Sequence, residues 1–156
     1  MTFPNALLTF FGPASSPAAQ LFWAWMALCL ALALHIVDEA ATGFLSVYNP
    51  TVRALRARRP WLPLPEFSFG VWLTGLIAAD VLLCGLSLFA LRGVAWMRPL
   101  GYIFAAILFV NGLVHIAGTI AGRTFASIRI PRPMPGFYSS PLMLLAAVYF
   151  FCGRWM

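Results

Sequence analysis

The chain has 156 residues, 62% of them hydrophobic and only 9% charged, with a mean hydropathy of +0.89. Soluble domains carry about 25% charged residues, so this composition excludes an ordinary water-soluble fold and points to a single integral membrane domain over residues 1–156. The net charge of +6 comes from ten basic residues, all arginines set between apolar runs, a distribution that argues against nucleic-acid binding and fits basic loops flanking membrane spans.

Taken in chain order, the N-terminal stretch "MTFPNALLTFFGPASSPAAQ" has no Lys or Arg at its start, which argues against a cleaved signal peptide. Apolar runs of about 20 residues then predict spans at about 21–45, 67–91 and 97–121, and a shorter one at about 137–153. The expected fold is all-α, a bundle of four transmembrane helices. The loop between the first two spans carries Arg53, Arg56, Arg58 and Arg59, and that between the last two carries Arg123, Arg129 and Arg132. Arg92, Arg98 and Arg154 fall on the opposite side. The positive-inside rule then places both long loops in the cytoplasm and both termini outside. The segment "NPTVRALRARRPW" reads as a short surface helix with its arginines at the headgroups. Cys29, Cys84 and Cys152 each stand alone in an apolar run, without Cys-x-x-Cys spacing, and read as small buried hydrophobes.

The first span contains "LHIVDEA", a histidine and two acids within five positions. On a helix His35 and Glu39 are i, i+4 on one face, and Asp38 stands about 100° from Glu39 around the axis. Span three carries "VNGLVHIAG", in which Asn111 and His115 form a second i, i+4 pair. Spans one and three run in the same direction, and both pairs lie roughly 9–15 Å below the inner surface. Two polar pairs at one depth predict one site in the cytoplasmic half.

A charge in mid-span costs about 2.5–3.5 kcal/mol, whereas polar contacts between membrane helices contribute only about 0.6 kcal/mol on average. A structural latch is one reading of the cluster. A functional site accounts better for two acids, two histidines and an amide. Asp80, about 20 Å into span two, is expected to hydrogen-bond the cluster from its outer side or to pair separately. Glu66, at the inner mouth, is expected to be solvated with an arginine nearby.

Span four adds Ser139-Ser140-Pro141, which reads as an N-cap followed by proline at the first helical position. A helix from Pro141 to Arg154 is about 21 Å long, too short for a core of about 30 Å. Either the bilayer thins there, or "PRPMPGFY" dips into the inner leaflet as non-helical backbone. In the second case "PMPGFYSS" forms a lid, and Ser139, Ser140 and the following N–H groups face the site to hold an anionic or oxyanionic group.

At these residues the sequence resembles the HXXEE family of small bacterial membrane proteins. The resemblance implies three signatures, His-x-x-Glu-Glu, Asn-x-x-x-His and Tyr-x-Pro-Gly. The first stands here as His35-Ile36-Val37-Asp38-Glu39, with aspartate at the first acidic position. The second is complete from Asn111 to His115. The third is partial, Pro133-Met134-Pro135-Gly136, with Tyr138 two residues beyond the glycine. It implies a site more than a reaction, with Gly136 and Tyr138 beside the serines as candidate substrate contacts.

Three chemistries fit His35, Asp38, Glu39, Asn111 and His115. His35, Glu39 and His115 are a facial N, N, O set for one divalent metal, Zn²⁺ for hydrolysis or Fe²⁺ for oxidation of a lipophilic substrate. Without a metal, buried acids and histidines suit acid–base isomerisation. Alternatively they line a proton or cation path, for which a homodimer could supply the gates, or the protein is structural or accessory. The expected partners are the bilayer and a hydrophobic or amphipathic small molecule. In the enzyme readings Glu39 is the primary ligand or base, and Asp38 orients a histidine or Asn111.

Overall fold

The computed structural model describes residues 16–153. The start of the chain, which bears on the signal peptide, and Arg154, the expected outer end of the fourth span, lie outside the described residues. Five helices occur in the order α1 (Pro17–Thr42), α2 (Leu45–Arg58), α3 (Phe69–Leu91), α4 (Met97–Ala121) and α5 (Ser140–Cys152). The described part is all-α. Three of these helices, α1, α3 and α4, are long and apolar enough to cross a membrane.

Each boundary has a local cause. The Ser16 hydroxyl accepts from the Ala19 N–H at the start of α1, and a proline occupies its first turn. The helix stops at Thr42, three residues short of the expected end, because Gly43 takes the left-handed conformation with φ +79. The N–H groups of Gly43 and Phe44 both return to the Glu39 carbonyl, closing the last turn. The chain then re-enters helix at Leu45, so α2 begins before "NPTVRALRARRPW" and carries Pro50 in its interior. Glu66 stands 3.4 Å from Arg53 and 3.9 Å from Arg56, all three partly exposed, so the expected arginine neighbour is present.

Within the segment 137–153 the helix starts at Ser140, one residue before the expected Pro141, with Ser139 as its N-cap residue. It has 13 residues, about 20 Å at 1.5 Å per residue, and like the expected helix falls short of the hydrocarbon thickness. Pro141 cannot supply an N–H, so helical hydrogen bonding begins with Leu142 and Met143, which both donate to the Ser139 carbonyl. The preceding residues 122–139 form no regular helix, only turns and one isolated bridge between Arg123 and Arg129.

α1 is the centre of the bundle and packs on α3, α5 and α4, while α4 lies along α5. Trp25, Leu28, Met97, Leu108, Met143 and Phe150 form the buried heart of this packing. Small residues let the helices approach: a Cβ added to Gly112 would stand 3.2 Å from both the Leu144 Cγ and the Ser140 carbonyl oxygen. That approach seats the start of α5 against α4, beside His115.

Trp25 is fully buried, donates its indole N–H to the Leu83 carbonyl at 2.7 Å and packs on Phe104. Trp25→Ala is expected to cost about 3–5 kcal/mol of stability, measured as thermal unfolding in detergent. An unchanged midpoint would mean that α1 and α3 are held together elsewhere.

Candidate functional site

Helix periodicity puts His35 and Glu39 on the buried face of α1, and His115 on the buried face of α4. Their relative exposures are 1%, 5% and 1%, which makes them the least solvated ionisable cluster of the described chain. Glu39 Oε1 stands 3.4 Å from His35 Nε2 and 3.2 Å from His115 Nε2. The two imidazole rings meet edge to face with centroids 4.7 Å apart. These three residues come from two helices, and their ligand-type atoms all lie within 4.8 Å of one another.

The far nitrogen of each ring is already committed. His115 Nδ1 is hydrogen-bonded to the Pro135 carbonyl. A carbonyl only accepts, so this nitrogen carries a proton, and Nε2 is the atom that faces Glu39, an acceptor on a neutral ring and a donor on a protonated one. His35 Nδ1 lies 2.8 Å from the Ser139 hydroxyl. That hydroxyl has one proton, and it is directed to acceptors, Asp38 Oδ2 at 2.8 Å or the Gly136 carbonyl at 3.2 Å. Ser139 therefore accepts from His35 Nδ1–H, and His35 Nε2 also faces inward, toward Glu39. Asn111 Nδ2 reaches the same Nε2 at 3.2 Å.

Asp38 thus acts as expected on a histidine, but through Ser139 rather than directly. Its Oδ2 takes both the hydroxyl and the backbone N–H of Ser139, each at 2.8 Å. Ser139→Ala removes the acceptor for His35 Nδ1–H. Where the cluster takes a metal ion, this variant is expected to bind it about 10–100-fold more weakly, the usual cost of losing a partner that orients a histidine. Competition with a chelator reads this directly, and unaltered affinity would remove Ser139 from the orienting role.

The segment before α5 covers the cluster. Met134 N donates to Thr119 Oγ1 at 2.9 Å, and Arg132 donates to the Ile120 carbonyl at 3.1 Å, which lays the chain back along α4. Gly136 then crosses over both histidines with φ +83. A Cβ there would stand 2.7 Å from Cε1 of His35 and of His115. Only glycine allows this backbone to close over the rings.

The anion-holding role expected of the serines is corrected. The Ser140 hydroxyl is buried and donates to the Gly136 carbonyl at 2.7 Å. The N–H groups of Ser139, Ser140, Leu142 and Met143 all have partners within the protein. No donor at the start of α5 is left for an anion. Tyr138 points away, 68% exposed with its ring against Phe137. Asp80 does not join the cluster either, and its Oδ1 is buried without a hydrogen-bond partner.

The residues that reasoning from sequence missed are Pro135, Thr42 and Thr119. Pro135 contributes a carbonyl, which carries no sequence signal. Thr42 accepts from the Gly136 N–H at 3.3 Å, one helical turn beyond Asp38. Thr119 lies one turn beyond His115, and both threonines could have been found as i+4 continuations of the two polar faces.

Two apolar clefts border the region. One of about 450 Å³ lies between α2, α4 and the returning segment, lined by residues including Phe44, Val47, Leu55, Val114, Gly118 and Met134. Phe44 is common to this cleft and the site, its ring centroid 6.0 Å from that of His115. Another, of about 580 Å³, lies between α1 and α3 and has Asp80 as its charged member. Comparison with known protein families, curated proteins and solved structures finds no match.

Proposed function

We propose that His35, Glu39 and His115 hold one divalent metal ion, Zn²⁺ or Fe²⁺, in a membrane-embedded enzyme acting on a lipophilic small molecule. One observation carries this reading. Two Nε2 atoms stand 3.4 and 3.2 Å from one carboxylate oxygen, all three atoms lie within 4.8 Å of one another, and each Nδ1–H is held by a partner of its own. The carboxylate needs positive charge beside it, which a metal ion supplies here and a protonated imidazole supplies in the metal-free reading. Two histidines and a carboxylate leave positions open for water or substrate. Zn²⁺ there would lower the pKa of bound water for hydrolysis, and Fe²⁺ would serve oxidation.

The substrate class follows from the cleft beside Phe44, whose volume is that of a small-molecule site and whose walls are almost wholly apolar. In this reading the chain is a member of the HXXEE family in a bacterial inner membrane. The short α5 completes a fourth crossing with residues 131–139 dipping into the inner leaflet. The arginine-rich loops lie in the cytoplasm, the termini outside and the site in the cytoplasmic half.

The contact from Asn111 Nδ2 to His35 Nε2 favours a second reading, because an amide donor occupies the lone pair a metal would take. There Glu39 and the histidines exchange protons with the substrate as an acid–base set. Metal analysis of detergent-purified protein after loading with Zn²⁺ or Fe²⁺ decides between them. The metal reading requires about one ion per chain at this cluster, lost in His115→Ala. A wild type whose metal content equals that of His115→Ala leaves only the acid–base reading.

A further inference from the structure

We infer that Cys29, Asp80 and Cys84 form a second cation site, for a soft ion of the Zn²⁺ type, separate from the histidine cluster. Cysteines that stand alone in sequence are brought together here. Cys29 lies on α1 and Cys84 on α3, one helical turn beyond Asp80. Their sulfurs and an Asp80 carboxylate oxygen all lie within 4.8 Å of one another. Both cysteines are free thiols.

Asp80 adds an observation independent of the thiols. Its Oδ1 has no contact with solvent and no hydrogen-bond partner, and it lies within a helix that can cross a membrane. Asp80 as a whole is half-buried and lines the cleft between α1 and α3; ionised, it needs a countercharge, and no basic side chain of the described residues forms an ion pair with it. Two thiols and a carboxylate are a donor set that borderline-soft Zn²⁺ accepts, with a fourth position open. Ligation at about 2.0–2.3 Å would draw the three atoms together by roughly 1 Å or less.

On binding, each thiol loses its proton and the two sulfurs become thiolates, so two protons leave as the ion enters. The cleft between α1 and α3, lined by Ala33, Val37, Leu73 and Ile77, reaches Asp80 and offers the route. Cys29 is six residues from His35 on the same helix, about 9 Å along the axis, so the two sites do not share an ion.

Co²⁺ is the probe, because thiolate ligation adds a sulfur-to-cobalt charge-transfer absorption that histidine and carboxylate cannot produce. The protein is taken in detergent, reduced, in a Cys152→Ser background so that the exposed third thiol does not contribute. The charge-transfer band is expected in this protein and in His115→Ala, and absent from Cys29→Ser and Cys84→Ser. Asp80→Asn is expected to weaken Co²⁺ binding by about tenfold or more, since even loss of an indirect partner costs 10–100-fold.

X-ray absorption on the Co²⁺-loaded Cys152→Ser protein should show sulfur neighbours, about one per cobalt when the histidine cluster is filled as well and two when it is not, a readout that does not depend on how the other variants fold. A shell of nitrogen and oxygen alone, or thiols joined as a disulfide after reduction and reisolation, would overturn the inference. So would a band that disappears in His115→Ala and survives in Cys29→Ser.

Discussion

Gly136→Ala should strongly weaken the metal binding proposed for the histidine cluster, although the substitution adds one methyl group and removes no polar atom. The new Cβ would lie 2.7 Å from both imidazole Cε1 atoms and 2.8 Å from His115 Nδ1, where real Cβ contacts do not occur. The rings cannot retreat without giving up Ser139 or the Pro135 carbonyl. The backbone adds its own cost, because φ +83 is disfavoured for alanine by about 1–2 kcal/mol. The affinity for Zn²⁺ is expected to fall by more than about a hundredfold, beyond the range for losing one outer hydrogen bond. Gly70→Ala is the control, since nothing stands within 4 Å of its would-be Cβ, and helical propensity makes it neutral or slightly stabilising. Equal metal affinities in the two variants would show that the segment over the histidines is not seated as described.

Glu39→Gln has the second large effect. The change keeps size and removes the charge from the only carboxylate that faces both Nε2 atoms. Metal affinity should fall by more than about a hundredfold, and in the metal-free reading the proton acceptor is lost as well. Asp38→Asn should be milder, about 10–100-fold, because its effect passes through Ser139. Since Asp38 and Ser139 act in one chain, combining Asp38→Asn with Ser139→Ala should cost little more than Ser139→Ala alone. A titration in which Asp38→Asn outranks Glu39→Gln would reverse the assignment of the two acids.

Much of this site was legible in the order of residues along the chain. The i, i+4 spacings of His35 with Glu39 and of Asn111 with His115 survive any tertiary arrangement, because helix geometry alone puts each pair on one face. Equal depth in two spans of the same direction was enough to expect that the pairs meet. Apolar run length located α1, α3 and α4 to within a few residues. Ser139-Ser140-Pro141 located the start of α5 to within one residue, because a cap and a proline are local signals.

The sequence by itself determined the apolar helices and the polar faces they carry, since composition and a 3.6-residue period are local properties. What only the tertiary structure decided were contacts between segments far apart in the chain. The Pro135 carbonyl that fixes His115 belongs to the backbone, and every residue has one. Ser139 reads as a helix cap, but its hydroxyl goes to His35 and Asp38, more than a hundred residues away. Asp80 was expected to reach the histidines from their outer side or to pair separately, and the packing of α3 against α1 sets it beside Cys29 and Cys84. Depth along a helix can be counted from sequence, whereas the direction a residue faces depends on how neighbouring helices pack, which no local rule contains.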